Sequence, residues 1–327
     1  MEQKNISQKL LPRITGVIRA ALKPSLSTIR FLISITVPVS FGVFILDITG
    51  ILSVIAVFFN PLMQFLGLPG ESGLVFVSSI LLNIYSAIAV MGTLHLNLRE
   101  VTLLAVMCLI AHSIIVETMV MKKTGSSITK MVLLRIGVAL FAAWILHWIL
   151  PADMTRIHPF AETGSPQGPF SWSQLPLLLK GWFFQNLRLI IKMSIIVFLL
   201  MVLQKIMEAF HWLEALGRLL APLMQLFGLS PNTGFVWIVA NAIGLTYGSA
   251  LLIEQVDRGK LSLSEGDLFN HHVGISHSLL EDTLLFVALG VPLIWVMVPR
   301  LLLAFCVVWI ERGRRALARH SFQVGTV

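Results

Sequence analysis

Pro61-Leu-Met-Gln-Phe-Leu-Gly-Leu68 recurs as Pro222-Leu-Met-Gln-Leu-Phe-Gly-Leu229, with six of eight positions identical. Beyond each copy the likeness continues. Leu96 to Thr118 aligns with Leu261 to Thr283 at a constant offset of 165, and 8 of the 23 aligned positions are identical. That offset pairs Glu100 with Glu265, His112-Ser113 with His277-Ser278, and Glu117-Thr118 with Asp282-Thr283. The chain is thus a duplication of one long unit, not a solenoid of short repeats. In a membrane protein, two-fold internal repetition is the signature of a transporter-like architecture.

Composition places the chain in a bilayer. It is 56% hydrophobic and only 12% charged, about half the charged fraction of a soluble domain. Neither Ser72–Leu98 nor Leu219–Ile253 contains an Asp, Glu, Lys or Arg, and a spanning helix needs ~20 apolar residues. Backbone groups in lipid must be satisfied within the segment, so these runs are expected to be helical. The fold class expected is an all-α polytopic membrane protein. The net charge of +8 does not point to nucleic acid, because the basic residues crowd the two ends: Lys4, Lys9, Arg13, Arg19, Lys23 and Arg30, then Arg312, Arg314, Arg315 and Arg319. Such clusters beside apolar helices mark cytoplasmic ends, so a bacterial inner membrane with both termini cytoplasmic is expected. Cys108 and Cys306 lie in apolar runs and read as small buried hydrophobes.

Each half reads as the same series. The first has a helix over 31–58 with a kink expected at Pro38, the Pro-Leu-Met-Gln segment, an apolar stretch over 73–92, and helices over 98–121 and 131–150. The second has a helix over 187–212, the repeated motif, a stretch over 234–254, and helices over 266–288 and 291–310. The organisation expected is a basic amphipathic segment (1–30), repeat 1 (31–150), an extramembrane Pro/Gly-rich connector (151–182), repeat 2 (183–311) and a basic tail (312–327). If 73–92 and 234–254 are re-entrant hairpins, the protein has six spans plus two hairpins and its halves are inverted. If each crosses, it has eight spans and parallel repeats. The hairpin arrangement keeps Lys122, Lys123 and Lys130 inside, in line with the positive-inside rule, and is the one expected.

The same two stretches hold unusual chemistry. Asn241-Ala-Ile-Gly-Leu-Thr-Tyr-Gly-Ser249 lies in the longest charge-free run, and its glycines and polar residues suit a broken helix lining a cavity. The first-half counterpart carries Asn83, Tyr85 and Ser86. Close helix packing by small residues is the competing reading. Ionisable groups at membrane depth default to a functional hypothesis: His112 and Glu117 in one helix, and His271, His272, His277, Glu281 and Asp282 in its repeat. On a continuous helix Asn270, His277 and Glu281 share one face, and His271, Ser278 and Asp282 a neighbouring one. A His with an acid one turn away can shuttle a proton, ligate a metal or form a plain buried pair. For a metal, His271, His272, His277, Glu281 and Asp282 are the candidates, without a tight ligand box among them.

No phosphate-binding loop, His-Glu-x-x-His or dinucleotide fingerprint occurs, so neither enzymatic chemistry nor a cofactor is expected. The run Asn241…Gly244-Leu-Thr-Tyr-Gly-Ser249, the loop Gly259-Lys-Leu261, and His277-Ser278 with Asp282 and Gly290 resemble the Gate, or nucleoside recognition, domain. Versions of it occur in concentrative nucleoside transporters, the membrane part of ferrous-iron transporter B, and spore maturation proteins A and B. The resemblance covers both halves and is clearest between Pro222 and Gly290. It implies hairpins meeting near the midplane, with Asn241, Thr246 and Ser249 at solute or ion contacts. Tyr247 stands where the nucleoside transporters carry a glutamate. The expected function is passage of a small polar solute or ion through a central site between the repeats. That site is assembled from Asn83, His112, Glu117, Asn241, Thr246, Tyr247, Ser249, His277, Glu281 and Asp282. The alternatives are a non-transporting membrane component that assembles with partners or copies of itself, and a divalent-metal permease.

Overall fold

The computed structural model describes residues 2–157 and 172–324, and every regular element among them is helical. Repeat 1 comprises α1 (Glu2–Ile48), α2 (Ile51–Phe65), α3 (Ser72–Leu81), α4 (Ile84–Met91), α5 (Leu98–Ala111), α6 (Ile114–Lys122) and α7 (Ile128–Ile149). Repeat 2 comprises α8 (Leu175–Ala209), α9 (Trp212–Leu219), α10 (Ala221–Leu226), α11 (Gly234–Ala242), α12 (Leu245–Asp257), α13 (Leu263–Ser276), α14 (Glu281–Ala288) and α15 (Leu293–Val324). The centre of the expected connector, 158–171, and the tail end, 325–327, lie outside the described residues.

Five helical stretches among the described residues are long and apolar enough to cross a membrane: Gly16–Ile48, Leu98–Lys122, Ile128–Ile149, Trp172–Ala209 and Leu293–Ala318. The outer helices leave large apolar side chains such as Leu133, Ile195, Leu199 and Leu302 exposed, which only lipid can cover without cost. The repeat partner of Leu98–Lys122 is α13–α14, interrupted between Ser276 and Glu281; counting it gives three crossings per half. The protein is an all-α polytopic membrane protein.

The stretches 73–92 and 234–254 fold back on themselves. Neither α3, with 10 residues, nor α4, with 8, can cross alone. The two pack against each other, as do α11 and α12. Gly248 shows how close the second pair comes. A Cβ added there would lie 2.5 Å from the Ala240 Cβ, so only glycine lets α12 approach α11. A hairpin returns the chain to its starting side, and three crossings per half make the halves inverted. Equivalent helices then pack across the pseudo-two-fold: α1 on α8, α5 on α13, α7 on α15.

The duplication extends to the helix ends. Asn97 caps α5 and Ser262 caps α13, each forming a reciprocal capping box with Glu100 or Glu265. Gly125 after α6 and Gly290 after α14 take φ of 102° and 100°, the conformation that lets a helix stop without a Cβ clash. At the centre, α5 is buried on every side from Leu103 to Ala111.

Three helices differ in extent from those read in sequence; the last, expected over 291–310, runs on to Val324. The first long helix covers 2–48 rather than 31–58: nothing stops it at residue 30, Pro38 lies within it, and it ends at Thr49-Gly50, where Gly50 takes φ 76°. The helix expected from 187 begins at Leu175, with Pro176 in its first turn, where a missing N–H costs nothing. The helices expected to be continuous over 98–121 and 266–288 are both broken.

Candidate functional site

Both breaks fall on the repeated His-Ser pair. His112 and His277 leave the helical region with ψ of 160° and 165°, and Ser113 and Ser278 take left-handed φ of 48° and 52°. A non-glycine residue is uncommon there, and both are held by the neighbouring hairpin. The Ser113 amide donates to Ser79 O at 2.9 Å and the Ser278 amide to Ala240 O at 3.2 Å. The Leu280 amide donates to Asn241 O at 3.0 Å, and Ser113 Oγ donates to Leu82 O at 3.1 Å. Each hairpin thus supplies carbonyls to amides freed where its own repeat's central helix breaks.

The carbonyls freed on the other side of each break are taken by a buried arginine. Arg135, on α7, donates from Nε to Ile110 O at 2.8 Å and from Nη2 to His112 O at 2.8 Å. Arg300, on α15, repeats this with Ile275 O at 3.1 Å and His277 O, and adds Thr283 Oγ1 at 3.1 Å and Leu109 O at 3.4 Å. Both side chains are fully buried. Sequence reading missed them, although an arginine stands in the apolar part of each final helix at the same offset of 165.

The two histidines meet. His112 Nε2 lies 3.2 Å from His277 Nε2, and contact between equivalent residues places the pair on the pseudo-two-fold axis. Each Nδ1 faces the carbonyl four residues back, Cys108 O at 3.0 Å and Val273 O at 2.8 Å. A carbonyl can only accept, so the network assigns the ring hydrogen to Nδ1 and leaves Nε2 with its lone pair. Carboxylates complete the group. Glu117 Oε1 lies 3.4 Å from His112 Nε2 and 3.3 Å from His277 Nε2, and Asp282 Oδ2 lies 3.3 Å from His112 Nε2. Glu117 Oε2 is paired with Arg135 Nη1 at 2.5 Å. Each carboxylate therefore reaches the histidine of the opposite repeat.

The remaining candidates are distributed. Glu281 turns away from His277 toward hairpin 1, where the Tyr85 hydroxyl donates to its Oε1 at 3.3 Å. Gln204 lies beside it and also donates to Ala242 O at 3.0 Å. Asn241 is buried; its Nδ2 donates to Trp237 O at 2.9 Å and its Oδ1 has no protein partner. Asn83 caps α4, accepting from the Ser86 amide at 2.9 Å. Ser249 is buried in α12, Tyr247 is 65% exposed on the outer surface, and the Thr246 side chain lies outside the described residues.

The five metal candidates occupy four separate places. His277 is on the axis with Asp282, and Glu281 faces Tyr85. His271 sits with Asp267 and Glu311, where Lys130 and Arg315 pair with Glu311 at 2.9 and 2.7 Å. His272 is enclosed by Phe227, Trp237 and Ser276, whose Oγ lies 2.9 Å from its Nδ1. The shared faces read from a continuous helix do not exist, because the break at 277–280 rotates everything after it; Asn270 instead donates to Met121 O at 3.1 Å and Thr124 Oγ1 at 2.7 Å.

Residues 190–299 match the family model described as Gate, nucleoside recognition. The chain is also 29% identical over 279 residues to an uncharacterized membrane protein, YvoD, of Bacillus subtilis (strain 168), covering 85% of this chain and 88% of the relative. No solved structure matches. The matched interval runs from within α8 to within α15 and contains the second hairpin, the second helix break and one member of the axial histidine pair. The chain is a polytopic membrane protein whose residues 190–299 are similar to the Gate, nucleoside recognition, domain.

Proposed function

We propose that the protein passes a small polar solute or ion across the membrane through the site where its repeats meet. It would sit in a bacterial inner membrane with both basic termini cytoplasmic, as the charge distribution favours. The observation that carries this reading is the axial pair, His112 and His277 at 3.2 Å, each at a helix break tied to its own hairpin. Discontinuous helices with hairpins at the repeat interface are how inverted-repeat transporters build a midplane site. Buried ionisable groups are too costly to keep there without use.

The site has two parts. On the axis lie His112, His277, Glu117 and Asp282. Beside them Tyr85, Gln204, Asn241 and Glu281 offer neutral and acidic groups for a polar solute, with the Asn241 Oδ1 unpartnered. A thermal-shift screen of purified protein against nucleosides, amino acids and divalent metals would find the ligand, since binding raises apparent stability by mass action. Uptake of that ligand into proteoliposomes is expected to fall by roughly tenfold or more in His277→Ala and in Asn241→Ala. Unchanged uptake in both, with normally folded protein, contradicts the proposal.

The enclosure of the axial cluster favours a second reading, a non-transporting component acting through partners. His277 is fully buried and Asp282 is 7% exposed. The readings separate on access. A cysteine placed at Ser278 is labelled by a membrane-impermeant reagent, from one side or the other, if the repeats rock open; it stays unlabelled if the interface is permanently sealed.

A further inference from the structure

We propose that His112, His277 and Glu117, with Asp282 beside them, bind a divalent transition-metal cation in tetrahedral coordination, zinc being the ion that fits best. This deepens the reading of the axial cluster as the central site by naming the ion, and holds whether the ion is carried or retained.

The first support is the excess of lone pairs. Both Nε2 atoms are acceptors because both Nδ1 atoms are committed to carbonyls. Glu117 Oε1 is a third acceptor, 3.4 and 3.3 Å from them, and these three atoms form one close group; Asp282 Oδ2 faces His112 Nε2 alone, at 3.3 Å. Electron pairs converging at this separation in a buried place repel unless something positive lies between them. A single proton joins two of the atoms and leaves the rest facing one another. A metal ion satisfies the three converging atoms together and leaves a fourth position open.

The second support is size. A tetrahedral ion with bonds of ~2.0–2.1 Å holds neighbouring ligand atoms ~3.3 Å apart. The edges here are 3.2, 3.3 and 3.4 Å. Octahedral magnesium at ~2.0–2.1 Å needs edges of ~2.9 Å and prefers oxygen and water to imidazole.

The third is the surrounding shell. Metal-binding histidines give their other N–H to a carbonyl or carboxylate, which fixes the ring, and both histidines do so here. Glu117 presents one oxygen to the histidines while Arg135 holds the other at 2.5 Å.

The test uses full-length protein in nanodiscs, cleared of metal with a chelator and titrated with cobalt(II) chloride. Tetrahedral cobalt absorbs far more strongly in the visible than six-coordinate cobalt. We expect intense bands that saturate at one ion per chain and are displaced by zinc but not by magnesium. His277→Gln is expected to abolish them and Glu117→Gln to weaken binding by roughly 10–100-fold. A weak six-coordinate spectrum on the unsubstituted protein overturns the proposal, with no variant needed. So does an unaltered tetrahedral spectrum in either His112→Gln or His277→Gln, which would place the ion at another group such as Asp267, His271 and Glu311. Tight binding without flux supports this inference and contradicts transport. Flux of a solute with no metal binding does the reverse.

Discussion

Repeat 1 and repeat 2 build the same broken helix and finish it differently. In repeat 1 two residues, His112 and Ser113, separate α5 from α6, and the arginine behind the break is paired with its own carboxylate, Arg135 to Glu117 at 2.5 Å. In repeat 2 the interruption runs from His277 to Leu280, the carboxylate is the shorter Asp282, and Arg300 spends its donors on Thr283 and carbonyls, including Leu109 O of the opposite repeat. The hairpins diverge in step. That of repeat 1 is closed by the Asn83 cap and lays α4 on α1, whereas that of repeat 2 turns through Gly244 at φ 119° and lays α12 against α6 of the opposite repeat. Duplication kept what holds the break open and let the rest specialise. Repeat 1 supplies the half of the axial site braced by an arginine–carboxylate pair, and repeat 2 the half next to the acid that faces Tyr85.

That comparison can be broken most forcefully at the arginines. Arg135→Leu strands the buried Glu117 carboxylate as well as two carbonyls, and is expected to cost about 3–5 kcal/mol. Arg300→Leu leaves acceptors but no directly paired charge, and is expected to cost about 1–3 kcal/mol. Thermal unfolding of purified protein would check this, and the reverse order would contradict the asymmetry. Next are the carboxylates. Glu117 faces both histidines, so Glu117→Gln is expected to weaken zinc binding by roughly 10–100-fold, and Asp282→Asn by less than Glu117→Gln; equal losses by calorimetry would make the two halves equivalent.

Gly248→Leu pushes a side chain into Ala240 and is expected to cost about 1–3 kcal/mol by prying the second hairpin apart. Thermal unfolding equal to that of the parent would show that α12 does not pack tightly on α11. The smallest effects belong to features the repeats share. Asn97→Ala and Ser262→Ala each remove one capping-box acceptor and are expected to cost about 1 kcal/mol apiece. A large difference between them, again by thermal unfolding, would mean the two helix starts are not equivalent.

Much of this was legible in the sequence because its causes are local. Charge-free runs dictate helices in lipid, and glycines and an asparagine in such a run mark a hairpin. The retained His-Ser pair with an acid at Glu117 or Asp282 located the axis. What sequence could not give was the meaning of His-Ser. Helical spacing treats residues around His277 as one continuous face, yet the serine after it takes a left-handed backbone whose amide is held by a carbonyl from the hairpin. That is a tertiary override, invisible to periodicity. The same override sent Glu281 toward Tyr85 instead of His277. Arg135 and Arg300 were overlooked for a different reason. Sequence identity fades after Thr118 and Thr283, and a single arginine in a long apolar helix reads as an end-group until the carbonyls it must satisfy are known.

The central claim is that two inverted repeats each contribute half of one cation site. Zinc calorimetry on the full-length protein, alongside His112→Ala and His277→Ala, tests it most directly. One ion per chain should bind the parent, and either substitution alone should remove the tight site to a similar degree, because each takes away a facing Nε2. Parent-like binding in either variant, or two independent ions in the parent, would mean that the repeats do not share a site.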